Sequence, residues 1–225
     1  KVEINQGAPQ VAYKEAITSS IEHKEVYKKQ SGGRGKFADI VFEIGPKDED
    51  YEKEGLQFAN EIVGGVIPKE FIPAIQKGFE QAMQNGPLAG YPIDNMKVRL
   101  YHGSFHDVDS DSLSFELAAR AGFKSAASKC SPVILEPVMA VEVVTPDEYT
   151  GTITGDLNKR RGMMKGMDTR GTSTVVKADV PLSELFGYVT DLRTNSSGRA
   201  TASLTFSHYD QVPKNIAEGI IAEVK

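Results

Sequence analysis

A short basic, glycine-rich segment is the first candidate for chemistry in this sequence. It spans Gln30, Ser31, Gly32, Gly33, Arg34, Gly35 and Lys36, and Lys28 and Lys29 come directly before it. Glycine lets a backbone approach another surface closely, and clustered cations suit the phosphates of RNA. Two interpretations of this segment stay open at this point: contact with RNA or phosphate, and a mobile hairpin tip without a ligand.

The segment does not fit the two common nucleotide-binding loops. Phe37 follows Gly35-Lys36 where a P-loop requires Ser or Thr. Ala38 stands where a dinucleotide fingerprint requires its third glycine. The segment is therefore neither of these motifs.

Acidic, histidine and cysteine residues elsewhere do not form a convincing reactive set. Asp107-Val108-Asp109-Ser110-Asp111 imitates the start of an EF-hand loop, but Ser112 and Ala118 occupy the positions of its glycine and its bidentate glutamate. His102 and His106 are four residues apart without the glutamate of a zincin helix. We predict no metal site and no catalytic residue, and we expect Asp111 or Ser112 to cap a helix. A metal-dependent enzyme using the two histidines and the aspartates is the alternative.

A second basic cluster lies in the last third of the chain. It consists of Lys159, Arg160, Arg161 and Lys165. Cations favour the C-terminus of a helix, so the cluster is either a solvated helix end or a patch that faces RNA.

The composition bounds the class of protein. The chain has 225 residues, of which 40% are hydrophobic and 25% charged, and this is typical of a globular protein with one large or two small domains. No stretch approaches the roughly 18 apolar residues of a membrane span. Cys130 is the single cysteine, so no internal disulfide can form, as expected of a reducing compartment. The strand-like start at Lys1, without a Met, indicates a fragment of a longer protein.

The first part of the chain is predicted to mix a sheet with two helices. Two strands flank the glycine-rich turn as a hairpin, and residues 97–101 form a further strand. One helix carries Ile72, Ile75, Phe79 and Met83 on one face, and a second buries Leu113, Leu117 and Ala121.

The pattern restarts near Ser131 with the order β-α-β-β-α-β of a ferredoxin-like domain. We expect a linker through Glu136-Pro137 before the first strand, and a helical stripe at Leu182, Leu185, Phe186, Val189 and Leu192. An amphipathic helix occupies residues 213–225.

A series of ordered motifs resembles one family over essentially the whole chain, the C-terminal portion of bacterial elongation factor G. The matching motifs are Gly7-Ala8-Pro9-Gln10-Val11-Ala12-Tyr13, residues 30–35, Gly64-Gly65-Val66-Ile67-Pro68, Gly86-Pro87-Leu88-Ala89-Gly90-Tyr91, Gly103-Ser104-Phe105-His106-Asp107-Val108-Asp109-Ser110, Leu135-Glu136-Pro137, Gly155-Asp156-Leu157 and Pro181-Leu182-Ser183-Glu184-Leu185-Phe186-Gly187-Tyr188.

The resemblance implies an α+β fold in two domains. Residues 1–131 correspond to the family's fourth domain, a ribosomal-protein-like α/β unit with a left-handed crossover. Residues 132–212 correspond to the ferredoxin-like fifth domain, and the C-terminal helix of residues 213–225 packs back toward the fourth.

The resemblance also implies a function in translation. The parent would be a translational GTPase that promotes translocation of tRNA and mRNA, with GTP and Mg²⁺ bound outside this fragment, which is itself no enzyme and needs no cofactor. Two tip loops of the fourth domain would enter the decoding A site and contact tRNA, mRNA and small-subunit RNA. They are residues 30–36 and the loop of Gly103, Ser104, Phe105, His106, Asp107 and Val108. The fifth domain would lie near the factor-binding RNA of the large subunit, and we expect a cytoplasmic monomer without a membrane.

Two features qualify this interpretation. Lys36-Phe37-Ala38 stands where many members of the family carry Gln-Tyr-Gly, which leaves a specialised paralogue in ribosome recycling or protection as the alternative.

The net charge of −5 excludes a broadly basic protein, but five acids lie in residues 48–54, away from the basic loop. At a screening length of about 8 Å, RNA would experience the local cluster rather than the total charge.

Overall fold

The structure is a computed structural model that describes residues 11–225, with Ser31 described by its backbone alone. In the described range the strands are β1 (Lys14–Ala16), β2 (Ile21–Ser31), β3 (Arg34–Pro46), β4 (Gln57–Asn60), β5 (Met96–Ser104), β6 (Val133–Pro146), β7 (Met163–Arg170), β8 (Ser173–Pro181) and β9 (Thr201–Gln211). The helices are α1 (Ile72–Ala82), α2 (Ser112–Ala127), α3 (Thr150–Lys159), α4 (Tyr188–Asn195) and α5 (Lys214–Val224). The strand-like start predicted at Lys1 lies outside the described residues.

The chain divides into two compact units. The first unit comprises Lys14–Ile134 and Val212–Lys225, so α5 belongs to it. The second unit comprises Leu135–Gln211 together with described residues 11–13.

The first unit is built on a mixed sheet with the strand order β2-β3-β5-β4. β2 and β3 form the predicted hairpin, and β3 continues antiparallel to β5. β4 lies parallel to β5, and the chain crosses between them through α1. β4 is short and shows no alternation of apolar residues, so no local pattern indicated it.

Two helices close the core of the first unit. Ile75 and Phe79 of α1 are fully buried, as their spacing predicts, and Pro73 lies in the first turn, where its missing N–H costs nothing. The predicted buried face of α2 is wrong: Leu113 is 55% exposed, and the buried side chains are Phe115, Ala118, Ala119, Phe123, Ala126 and Ala127.

A buried carboxylate fixes the loop that follows α1. Glu15 is fully buried and accepts hydrogen bonds from the backbone N–H groups of Leu88 (2.7 Å), Ala89 (3.0 Å) and Tyr91 (2.9 Å). A Cβ at Gly86 would collide with this carboxylate. The Gly86–Tyr91 motif is therefore a backbone nest for Glu15.

The second unit is an antiparallel sheet with the strand order β9-β6-β8-β7. With α3 between β6 and β7, and α4 between β8 and β9, it has the predicted ferredoxin-like order. The predicted linker before its first strand is wrong, because β6 runs unbroken through Glu136-Pro137. Pro137 pairs with Tyr209 of β9 and lies just before the β6–β8 ladder, which begins at Val138.

The predicted stripe from Leu182 to Leu192 is not one helix. Leu182–Glu184 form a 3-10 turn, and α4 begins only after Gly187, whose φ of 76° interrupts the helix. Tyr188 and Leu192 are buried, whereas Phe186 and Val189 are exposed.

In the part of the chain that the structure describes, no helix is both long enough and apolar enough to cross a membrane.

Candidate nucleic-acid interface

The basic loop forms the end of the β2–β3 hairpin. Ser31 pairs with Arg34, so Gly32 and Gly33 make a two-residue turn. Their φ angles are 55° and 111°, and this positive-φ turn matches the right-handed twist of a hairpin. Nothing lies within 4 Å of the position of a Cβ at either glycine, so the turn projects into open space.

The second predicted loop binds to the side of this hairpin. The N–H of Phe37 donates to the carbonyl of Asp109 at 2.9 Å, and the hydroxyl of Ser110 donates to the carbonyl of Phe37 at 2.7 Å. Both backbone groups of Phe37 are thus satisfied by a loop about 70 residues later in the chain. The structure therefore brings the two predicted loops together at one end of the first unit.

Ser110 also closes the second loop on itself. Its hydroxyl accepts from the N–H of His106 at 2.9 Å, and its own N–H donates to the carbonyl of His106 at 3.1 Å. One side chain therefore links His106 to the hairpin strand.

His106 lies flat on Phe37. The ring centroids are 3.8 Å apart and the ring planes differ by 2°. His106 is exposed and Phe37 is partly buried, so the stack presents the imidazole at the surface.

Asp111 anchors the end of the loop. As predicted, it caps α2, with its carboxylate accepting from the N–H of Ser114 at 2.8 Å and from the hydroxyl of Ser114 at 2.6 Å. It also pairs with the ammonium of Lys36. Burial alone would raise the pKa of Asp111, but the hydrogen bonds from Lys36 and Ser114 prevail and lower it to about 2.

The predicted residues of the second loop divide into two groups. Gly103 is buried, and a Cβ there would collide with the carbonyl of Asp39. Ser104 donates to the carboxylate of Asp39 at 2.7 Å, and Phe105 packs against the core. His106, Asp107 and Val108 are exposed, and Val108 is 77% exposed. The first group positions the loop, and the second is free to meet a partner.

The cations of the two basic clusters differ in their ion-pair partners. Among the described residues, Lys28, Lys29 and Arg34 at the hairpin end form no ion pair. Arg160, in contrast, binds Asp156 at 3.0 Å and Asp191 at 2.6 Å, and its guanidinium lies 4.9 Å from the centroid of the Tyr188 ring.

Arg161 is likewise engaged inside the second unit. It binds Glu136 through two hydrogen bonds, of 2.8 and 3.0 Å, and Glu184 at 3.2 Å. Hydrogen bonding to Glu136, against the opposing effect of burial, raises the pKa of Arg161. Lys165 lies 3.5 Å from Asp179, and Lys159 is exposed. Most of the second cluster is thus neutralised within its own unit, and its proposed contact with RNA stays a prediction.

Sequence reasoning did not predict that Phe37, Asp109 and Ser110 join the two loops. The signal was present in one respect, because Ser110 ends the same motif that contains His106. Its partner Phe37, however, is separated from it by 73 residues, and no local pattern connects them.

Other candidate chemistry has no support in the described residues. Across residues 11–225, no three His, Cys, Asp or Glu side chains come together as ligands for a metal ion. Cys130 is buried, and burial raises the pKa of its thiol, which disfavours the reactive thiolate.

Comparison with known proteins assigns both units to one family. Residues 9–131 match the family described as elongation factor G, domain IV, and residues 133–220 match the elongation factor G C-terminus. The chain belongs to the elongation factor G family. Curated elongation factor G sequences are similar over the whole chain: that of Amoebophilus asiaticus is 75% identical and that of Cytophaga hutchinsonii 74% identical, each over 225 residues.

The chain spans about a third of these relatives, since it covers 32% of each. Elongation factor G of Salinibacter ruber is 56% identical over 99% of the chain. A crystal structure of a Thermus thermophilus protein matches 96% of the chain and 32% of that protein, with a TM-score of 0.85 and 38% sequence identity. Together, the domain IV and C-terminus matches account for nearly the whole of the given chain.

Proposed function

We propose that this chain is the ribosome-engaging part of a translation elongation factor that promotes GTP-dependent translocation of tRNA and mRNA. The observation that carries the proposal is the end of the first unit. There, two loops separated by about 70 residues are hydrogen-bonded into one projecting tip, which exposes His106 beside cations that form no ion pair with the described residues. We define this tip as residues 28–37 and 106–111.

The tip is suited to act by occupying space rather than by covalent chemistry. Its backbone is fixed by the Phe37–Asp109 and Ser110–Phe37 hydrogen bonds, so it can displace a partner without first becoming ordered. Lys28, Lys29 and Arg34 supply the local positive charge that attracts RNA phosphates. The tip would enter the decoding A site and contact tRNA, mRNA and small-subunit RNA.

The remaining properties follow from this role. GTP and Mg²⁺ would bind to the part of the factor that precedes this chain, and the chain itself needs no cofactor. The second unit would lie near the factor-binding RNA of the large subunit. The factor would act as a monomer in the cytoplasm, where it meets translating ribosomes.

The test uses the full-length factor with His106→Ala, or with Gly32 and Gly33 deleted, on programmed ribosomes. We expect single-turnover translocation to slow about tenfold or more, which corresponds to roughly 1.4 kcal/mol in the barrier, with ribosome-stimulated GTP hydrolysis close to wild type. Asp50→Asn, in the acidic loop at the other end of β3, is the matched surface control. Unchanged translocation in both tip variants would refute the proposal.

A second assay separates this function from ribosomal protection, which other factors built on such domains could perform. Release of a ribosome-bound antibiotic is measured beside translocation. Drug release without translocation would assign the chain to a protection factor instead.

A further inference from the structure

A cavity of about 600 Å³ lies between the last turns of α1 and α2. The two helices touch at Gly78, since a Cβ there would lie 2.5 Å from the carbonyl of Glu116. The lining begins one turn further along each helix, at Gln81 and Arg120, and includes the loop that follows α1. A cavity of this volume accommodates a small organic molecule.

The floor of the cavity is apolar and held in place. Phe123 is 4% exposed, and Ala82 and Pro87, which also line the cavity, are partly buried. The wall next to Pro87 is fixed because the N–H of Gly86 donates to the carbonyl of Tyr91 at 2.8 Å. A ligand that covers this floor therefore removes apolar surface from water without reordering the chain.

The rim of the cavity carries positive charge. Arg120 and Lys124 are exposed and stand one turn apart on α2, and no Asp or Glu among the described residues lines the cavity with them. Nη2 of Arg120 donates to the amide oxygen of Gln81 and lies 3.8 Å from the carboxylate of Glu116. Within residues 11–225, Nε and Nη1 of Arg120 have no acceptor and Lys124 has no ion-pair partner. The rim therefore offers an anion both free donors and uncompensated charge.

The carbonyl groups at the C-terminal ends of the two helices would repel an anion if they were unpaired. They are hydrogen-bonded within the chain instead. The N–H of Asn85 donates to the carbonyl of Ala82 at 3.1 Å, and the N–H of Lys129 donates to the carbonyl of Ala126 at 3.0 Å. The two cations therefore dominate the electrostatics of the cavity.

We propose that this cavity binds a small aromatic carboxylate, whose ring covers Phe123 and whose carboxylate lies between Arg120 and Lys124. Guanidinium and ammonium groups form short, charge-assisted hydrogen bonds with a carboxylate. The floor adds affinity only for a ligand that also carries an apolar group, so a bare anion should bind poorly. Lys124 lies about 20 Å along α2 from Asp111 of the tip, so failure of this inference would leave the proposed function unaffected.

The binding test follows the ring protons of Phe123 and the backbone amides of Gln81 and Lys124 by NMR in the 225-residue chain. The probes are beta-naphthoate, its neutral hydroxymethyl analogue, its cationic aminomethyl analogue, and acetate. We expect naphthoate to shift all three sets of signals in a saturable way, with a Kd of about 1 mM or tighter, as is reasonable for so small a ligand. The neutral analogue should bind at least fivefold more weakly, and the cationic analogue and acetate should give no saturable shift.

Three results of this titration would overturn the inference. Naphthoate might leave the Phe123 ring protons unmoved, which would exclude contact with the floor. Equal affinity of the three naphthyl compounds would exclude a contribution from the cations. Acetate that binds as tightly as naphthoate would exclude a contribution from the ring.

Charge reversal at the rim tests the site with the fold intact, because the substituted side chains are exposed. Lys124→Glu should weaken naphthoate binding at least tenfold and make the cationic analogue the tighter ligand, and Arg120→Gln should weaken naphthoate at least fivefold. Lys77→Ala and Lys129→Ala remove exposed cations of the same unit that do not line the cavity, and both should stay within twofold of wild type. A Lys124→Glu variant that still prefers naphthoate, or controls that lose as much affinity, would contradict the proposed site.

Discussion

The guanidinium of Arg161 and the carboxylate of Glu136 form a two-point ion pair across the second unit, with N–O distances of 2.8 and 3.0 Å. Glu136 is 3% exposed, so its charge has been removed from water and depends on this partner. Arg161 holds the pair from a left-handed backbone conformation, with φ of 57°. Both the backbone conformation of Arg161 and its charge therefore contribute to the geometry of this ion pair.

Arg161→Met should destabilise the second unit by about 2–4 kcal/mol, because it leaves Glu136 buried and unpaired. Lys159→Met is the matched control at an exposed position and should change the free energy of unfolding by less than about 0.5 kcal/mol. Urea unfolding followed by the NMR signals of β6 and β8 gives both values. Equal stability of the two variants would show that the pair contributes nothing.

Glu15→Ala should destabilise the first unit by about 2–4 kcal/mol, because three backbone N–H groups lose a charged acceptor in a buried site. Glu15→Gln should be nearly as harmful, since its amide nitrogen would face an N–H group. Chemical unfolding monitored at the Leu88, Ala89 and Tyr91 amides measures the loss. Glu49→Ala, at an exposed position in the acidic loop of residues 48–54, serves as the control. A similar effect there would contradict a stabilising role for the hydrogen bonds that Glu15 accepts.

Gly78→Ala and Gly219→Ala should have opposite signs, although each places alanine in a helix. A Cβ at Gly78 of α1 would lie 2.5 Å from the carbonyl of Glu116 and 2.8 Å from the Ala119 methyl group, which forces α1 away from α2 and costs about 1–3 kcal/mol. Gly219 of α5 has nothing within 4 Å, so alanine should stabilise by about 0.5–1 kcal/mol through helix propensity. Thermal unfolding of both variants checks the pair, and a shared sign would refute the close helix contact.

Asp111 should make the stability of the tip and α2 dependent on acid pH. Its pKa is lowered from 3.8 to about 2 in the folded protein, so its contribution is complete above about pH 4 and disappears as the pH falls through 2. Its side chain is 42% exposed, which limits the effect to no more than about 1 kcal/mol. Asp111→Asn should therefore be less stable than wild type at about pH 5, and the difference should shrink by at least half at about pH 2.

Urea titrations at the two pH values, followed at the α2 amides, provide this measurement. Asp50→Asn should show no difference from wild type at either pH. If the difference in the free energy of unfolding between wild type and Asp111→Asn is the same at both pH values, the lowered pKa of Asp111 is contradicted.

Local signals predicted the elements that depend on neighbouring residues. The spacing of Ile75 and Phe79 located α1, and Asp111 located the start of α2, because amphipathic periodicity and capping act within one or two turns. The buried face of α2 was misjudged for a related reason. Its core contacts use small residues such as Ala118 and Ala119, which carry a weaker hydrophobic signal than the exposed Leu113.

Features that depend on distant partners could not be predicted in this way. The sequence showed Arg160 and Arg161 as a basic run, and only the fold brings Glu136, Glu184 and Asp191 to them. The residues of the tip loops were identified through the family motif, whereas the contact of Ser110 with Phe37 emerged only from the packing of the loop on the hairpin.

The outer end of the hairpin extends past the sheet that supports it. The β3–β5 ladder ends at the pairing of Asp39 with Ser104, and the ribbon continues for five more residues to Arg34, about 17 Å at the rise of a strand. A free two-stranded ribbon of that length bends easily. Here the Phe37–Asp109 and Ser110–Phe37 hydrogen bonds hold the ribbon against the second loop. These hydrogen bonds therefore restrict bending of the ribbon between the sheet and Gly32-Gly33, and Asp111 connects the same loop to the start of α2.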